Sequence, residues 1–460
     1  MKIRAWAARA VLFALICLSA VGAAAAAELR RKVGPADFAP VLTPGPGQTR
    51  VRVPAFRLDP RPVTNRQFLE FVRAHPTWRR DRIASLFADD GYLSHWAAAD
   101  ALGAAAQPDQ PITRVSWFAA RAYCVAAGGR LPAWNEWELA AAADEHVADA
   151  RTDTAWRARI LDWYARPATD LLQAVGLGRP NLYGIRDLHG LIWEWVEDYH
   201  SLMVSNDSRD QGDPDKLEFC GAGAISAQDR ENYPVLMRIA FLSALEGRST
   251  ARRLGFRCAD GPGAPAAAAA VAAASATADA MLPGNSLYQL PISLETADGN
   301  TVPLSSFRGK PLIVTMFYGH CTNVCPMLAN QLQILQRRLA PKTRANIRIL
   351  MVSFDSTRDA PGELSGFEQQ HHVGRADWTL ARTSPDDVRL LAAVLGIRYR
   401  RLPDQSFNHS TVITLADQDG VIRARTSGIQ SSDSELVTAA NVLFAGTAAS
   451  QPAGASQRRL

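Results

Sequence analysis

Residues 317–332 read FYGHCTNVCPMLANQL, and this stretch decides the reading of the C-terminal third. The apolar run from Pro311 to Tyr318 suits a buried central strand, and Pro326 marks the start of a helix that stays amphipathic to Leu339. Cys321 and Cys325 therefore sit in a strand-to-helix turn. A thiol there meets unsatisfied backbone N–H groups and the positive end of the helix dipole, so its thiolate is favoured. Two thiolates one helical turn apart can clasp a soft ion. Cu(I) prefers sulfur, with an imidazole completing a three-coordinate site. The segment SFNHSTVITLADQDG, from Ser406, supplies that imidazole in His409, expected in the loop that enters the strand at Thr411.

Around the turn the sequence alternates strands and helices. Pro291 to Leu304 predicts a hairpin turning at Asp298 and Gly299. Ile347 to Phe354 predicts a second buried strand, and Asp386 to Leu395 a helix. Thr411 to Ala416 with Val421 to Ala424 predicts a terminal hairpin around Asp417 to Gly420. This order is that of an α/β domain of thioredoxin-like type.

The C-x3-C-P turn after a buried strand, VSFDSTRDAP from Val352, and Asn408-His409-Ser410 before a strand together resemble the Sco/SenC family of copper-insertion proteins, over Leu282 to Gly428. The resemblance implies that Cys321, Cys325 and His409 are copper ligands, for Cu(I) and in some states Cu(II). It also implies that the two cysteines can cycle between dithiol and disulfide. The family commonly has Pro-Asp between the cysteines; Thr322 and Asn323 stand there in this chain. A metal-independent thiol-disulfide oxidoreductase, with Cys321 and Cys325 as its catalytic pair, is the alternative, and a purely structural disulfide the blandest one. His320 is either a spare ligand or a turn residue, with the turn residue preferred. His371 and His372 end a helix as solvated groups, and Asp355 carries no assigned role.

Four blocks organise the chain before Asp260: PVTNRQFLEFV from Pro62, PITRVSWFAARAYCVAAGGRLPAWNEWELAA from Pro111, NLYGIRDLHGLIWEWVEDY from Asn181, and a closing LGFRCAD. Cap residues predict helices over Asn65 to Ala74, after Thr64, and Trp117 to Ala127, between Ser116 and Gly128. In order, the blocks resemble the formylglycine-generating enzyme and sulfatase-modifying-factor family. That resemblance implies a loop-rich mixed α/β domain related to C-type lectins. Activity does not follow from fold. Oxidase members of that family bind Cu(I) through two cysteines shortly before the closing block, and residues 221–253 of this chain contain none. Such domains also hold calcium near a G-N-x-W-E-W block; here Leu191 replaces the asparagine, which removes an oxygen ligand. Asp187 and Glu194 then read as ordinary hydrogen-bonding acids.

Composition and punctuation set the remaining expectations. The chain has 460 residues, beyond what one core usually serves. The domains are expected at 50–260 and 282–446, joined by an Ala/Pro/Gly linker at 261–281, with a disordered tail at 447–460. Lys2, Arg4 and Arg9 precede an apolar run from Ala10 to Gly22 and an alanine tract to Ala27, the layout of a signal peptide over 1–27. The expected location is the periplasm, with an uncleaved segment anchoring the chain to the membrane as the alternative. The partner expected there is a cuproenzyme client, such as a respiratory oxidase or a copper enzyme of denitrification. Nucleic acid is not an expected partner, because 50 basic residues face 45 acidic ones without clustering. Outside the leader lie Cys124, Cys220, Cys258, Cys321 and Cys325, in a compartment where disulfides persist. A disulfide between Cys220 and Cys258 would close a stabilising loop and Cys124, within a predicted helix, then reads as a buried thiol, with the connectivity of these three left open by the sequence.

Overall fold

The computed structural model describes residues 30–39, 50–165, 172–202, 233–262, 282–321, 324–374, 376–402, 404–427 and 433–445. The leader, Cys220, nearly all of the linker and the tail lie outside the described residues. Those described fall into two compact units, one ending at Pro262 and one starting at Leu282. Among them no helix is long and apolar enough to cross a membrane.

In the first unit, Thr64 starts helix α1 (Asn65–Ala74) with a reciprocal cap. Its hydroxyl accepts the Gln67 N–H at 3.2 Å, and the Gln67 side chain accepts the Thr64 N–H at 2.9 Å. Phe68, Phe71 and Val72 follow at helical spacing and are buried. Replacing Thr64 with alanine is expected to destabilise this unit by about 1 kcal/mol, read as a lower urea midpoint of tryptophan fluorescence. An unchanged midpoint would show that the cap is dispensable.

Helix α2 (Trp117–Ala126) is capped by Ser116, whose side chain accepts the Ala119 N–H at 3.2 Å. Helices α3 (Trp134–Ala141), α4 (Thr154–Ala165) and α5 (Tyr233–Ser243) are the other α-helices among the described residues of this unit. The strands are short: β1 (Arg31–Val33), β2 (Ala36–Phe38), β3 (Val51–Val53), β4 (Phe56–Leu58), β5 (Trp193–Glu194), β6 (Leu254–Gly255) and β7 (Ala259–Asp260). β4 pairs with both β1 and β7, β2 pairs with β3, and β5 runs parallel to β6. β1 and β2 lie upstream of the expected boundary at residue 50 and belong to this unit, β1 adding a second partner to β4 and β2 supplying the partner of β3.

So little sheet leaves the interior to side chains. Glu194 is fully buried, takes two bonds from Arg257 at 2.7 and 2.8 Å, and accepts the Trp137 indole N–H at 2.8 Å. Arg130 grips Glu136 and Arg238 grips Glu138 in the same forked way. The pairing of Cys220 with Cys258 is corrected here: Cys124 on α2 is bonded to Cys258, 134 residues away, beside β7. Cys124 is buried as expected, but as half of a disulfide.

The second unit is built on a seven-stranded sheet. Its strands are β8 (Ser293–Thr296), β9 (Thr301–Pro303), β10 (Leu312–Phe317), β11 (Arg348–Ser353), β12 (Trp378–Arg382), β15 (Val412–Ala416) and β16 (Ile422–Ser427). β13 (Tyr399–Arg401) and β14 (Phe407–His409) form a separate antiparallel pair. The sheet order is β16-β15-β10-β11-β12-β8-β9, with β10, β11 and β12 parallel. Helices α6 (Val324–Arg338), α7 (Pro341–Asn346), α8 (Pro361–His371), α9 (Pro385–Leu395) and α10 (Asp433–Ala445) alternate with the strands. All six residues of β10 are buried, as its apolar run predicts. β12 and the β13–β14 pair are additions to the predicted order. Chain direction across the sheet reverses at β10, so the crevice beyond its carboxyl end is where an open α/β sheet places a ligand.

Candidate metal and thiol site

The cysteine turn occupies that end of β10. Tyr318, Gly319, His320 and Cys321 leave the strand, and Cys325 lies in the first turn of α6. The Cys325 N–H donates to the Cys321 sulfur at 3.3 Å, and the Cys321 N–H donates to the Tyr318 carbonyl at 3.3 Å. Both cysteines are free and buried, Cys325 completely.

That burial changes the electrostatics expected from the turn. Desolvation pushes the Cys325 thiol well above its ordinary value, and hydrogen bonding to Cys321 adds to the effect. Burial thus opposes the thiolate that the helix N-terminus favours at Cys325. Burial and the neighbouring Cys321 also raise the Tyr318 hydroxyl.

His409 is the last residue of β14, paired with Tyr399, and not part of a loop as expected. It is 2% exposed. Its ring packs edge-on to Tyr318, centroids 6.0 Å apart, and against Phe354 at 5.0 Å. Nδ1 lies 3.2 Å from the Ser410 carbonyl, which only accepts, so this bond places a proton on Nδ1, and in the neutral ring Nε2 is the nitrogen with the lone pair. Soft sulfur and neutral imidazole donors fit a Cu(I) ion. Cys321 and Cys325 are brought together. The described groups whose ligand atoms all lie within 4.8 Å of one another are His320, Asp355 and Asp359, and do not include Cys321, Cys325 and His409. Tyr318 bridges that set, bonded to Cys321 and touching the His409 ring.

Three participants carry no sequence expectation. Tyr318 and Phe354 form the aromatic wall, with Phe407 packed on both. Asp359, without exposure, accepts the Gly319 N–H at 2.7 Å and the Ser353 hydroxyl, and lies 3.1 Å from His320 Nδ1. Its signal was the acid four residues after Asp355 in VSFDSTRDAP. Asp355 itself is buried and paired with Arg358. His371 and His372 end α8 as expected, with His371 packed on Phe367 at 4.3 Å.

With this geometry in place, the family models agree with the two units. "Sulfatase-modifying factor enzyme 1-like domain" matches residues 26–261, half of the chain, and "SCO1/SenC" matches residues 282–442. The chain belongs to the sulfatase-modifying factor family and carries a SCO1/SenC domain. Among curated relatives of the first domain, the formylglycine-generating enzyme of Streptomyces coelicolor is 29% identical over 275 residues, 47% of this chain and 82% of that protein. The inactive C-alpha-formylglycine-generating enzyme 2 of Bos taurus is 28% identical over 260 residues, 48% of this chain and 82% of that protein. The SCO1/SenC domain is similar to Arabidopsis thaliana ScoI solved with copper bound, at 18% identity and TM-score 0.31, covering 34% of this chain and 97% of that one. It is also similar to yeast Sco1 with copper bound, at 18% identity and TM-score 0.28, covering 32% and 85%.

In the sulfatase-modifying domain, the acids near the W-E-W block are engaged by protein groups. Asp187 accepts the Gly176 and Gly178 N–H groups, and Glu194 is held by Arg257 and Trp137. Leu191 packs in an apolar cluster with Val175 and Ile192, so the position expected to lack an oxygen ligand is part of a core.

Proposed function

We propose that the SCO1/SenC domain carries copper as cargo, held as Cu(I) by Cys321, Cys325 and His409, and passes it to a periplasmic cuproenzyme such as a respiratory oxidase or a denitrification enzyme. The observation that carries this reading is the joining of two buried, free cysteines in one strand-to-helix turn, with a buried imidazole whose Nδ1 faces the Ser410 carbonyl packed on the same aromatic wall. Each thiol releases its proton as sulfur takes the ion, so uptake is a proton-coupled exchange that alkaline pH favours. The sulfatase-modifying domain serves client recognition. Residues 221–253 lack the cysteine pair of the oxidase members, which opposes formylglycine generation. Active and inactive relatives match this domain alike.

A second reading has its own support. The Cys325 N–H···S contact and the Tyr318–Cys321 bond already organise the turn without metal. As a thiol-disulfide oxidoreductase, the pair would reduce a client disulfide, giving up two electrons and two protons and closing a Cys321–Cys325 disulfide. His409→Ala separates the readings. The copper reading expects Cu(I) affinity to fall by more than about 10-fold, with the rate of exchange against a model disulfide within about twofold of wild type. Unchanged copper affinity would remove His409 from the ligand set, and a wild type that binds no copper tightly would leave disulfide exchange as the function.

A further inference from the structure

His320 stands one residue before Cys321, and its surroundings differ from those of a simple turn residue. Its Nδ1 lies 3.1 Å from Oδ1 of Asp359, a carboxylate with no exposure, while the His320 side chain is 43% exposed. A carboxylate only accepts, so the bond places a proton on Nδ1, and in the neutral ring Nε2 is then the nitrogen with the lone pair. This is the carboxylate–histidine arrangement by which proteins orient metal-binding imidazoles and raise their basicity. The acids are not themselves open donors. Asp359 is also occupied by the Gly319 N–H and Ser353, and Asp355 by Arg358 and Thr357. The donor that remains is the His320 Nε2. Cys321, Cys325 and His409 are buried, so an ion arriving from solvent needs an accessible first contact.

We propose that His320, oriented by Asp359, is that contact: a transit ligand that takes copper at the surface and hands it to the cysteine turn. The assignment rests on the copper reading above. No electron moves in the transfer: Cu(I) exchanges imidazole nitrogen for sulfur, and each thiol proton passes to solvent as its sulfur binds. Because the ligand is transient, it governs the rate of loading and leaves the final affinity to the buried donors.

The test presents Cu(I), as its bicinchoninate complex, to the reduced full-length chain and follows the loss of the chelate colour in stopped flow. His320→Ala is expected to slow uptake by about 10-fold or more, while equilibrium affinity and the number of titratable thiols stay at wild-type levels. His320→Phe fills the same space without a donor and is expected to be equally slow. Wild-type uptake rates in both variants overturn the transit role while leaving copper binding intact. Recovery of the rate by phenylalanine alone shows that His320 only packs, and overturns it too. Failure of the wild type to take up Cu(I) overturns the copper reading together with this one.

Discussion

Cys325→Ser in the reduced full-length chain is expected to lose tight Cu(I) binding, by more than about 100-fold in a competition against a chromophoric Cu(I) chelator. A single outer-sphere partner of a metal ligand is worth about 10–100-fold, and this change removes a donor atom. Serine offers a hard neutral oxygen where Cu(I) prefers a soft thiolate. Cys325 has no exposure, so no water can take the missing place without opening the turn. The serine hydroxyl also enters a desolvated site, at a cost of about 1–3 kcal/mol if it finds no partner. Cys325→Ala avoids that cost, and is expected to lose copper equally while unfolding near the wild-type midpoint. Affinity within about threefold of wild type in both variants would remove Cys325 from the ligand set.

The second large effect falls on the other unit. Breaking the Cys124–Cys258 disulfide, by Cys258→Ala or by reductant, is expected to destabilise the sulfatase-modifying domain by about 4–5 kcal/mol in the chain-entropy model. The size follows from the 134-residue separation, which the bond removes from the freedom of the unfolded chain. The bond joins α2, in the middle of the domain, to the closing segment beside β7, so a domain with little sheet is tied across its second half by it. Ten of the eleven tryptophans precede residue 262, so urea unfolding read by tryptophan fluorescence reports this unit. A loss below about 1 kcal/mol would mean that the buried Arg–Glu pairs hold the domain without the cross-link.

Legibility varied with how local each determinant is. Helix α1 was readable to the residue because Thr64 and Gln67 cap it within one turn, and β10 because an apolar run bounded by Lys310 and Gly319 needs no partner to be recognised. β12, five residues long, and the three-residue strands β13 and β14 carry too little pattern to stand out. The start of the first domain was missed for a similar reason: β1 and β2 become strands only through pairing with β4 and β3.

For the candidate site, the residue types and the spacing of Cys321, Cys325 and His409 were written in the chain, because a strand, a tight turn and a helix are local events. Three things were decided only by the tertiary structure. Which cysteine meets Cys258 depends on Cα atoms approaching to 5.4 Å across 134 residues, a distance that no spacing encodes. The upward push on the Cys325 thiol comes first from burial, which depends on everything packed over the turn and which the local dipole does not encode. Asp359, 39 residues beyond His320, reaches it because β11 lies beside β10 and returns the chain to the same sheet edge. The sequence by itself determined two domains, their families and the chemical types of the donors. Only the fold decided which donors touch and how much water each one keeps, because contact and desolvation are properties of the packed chain.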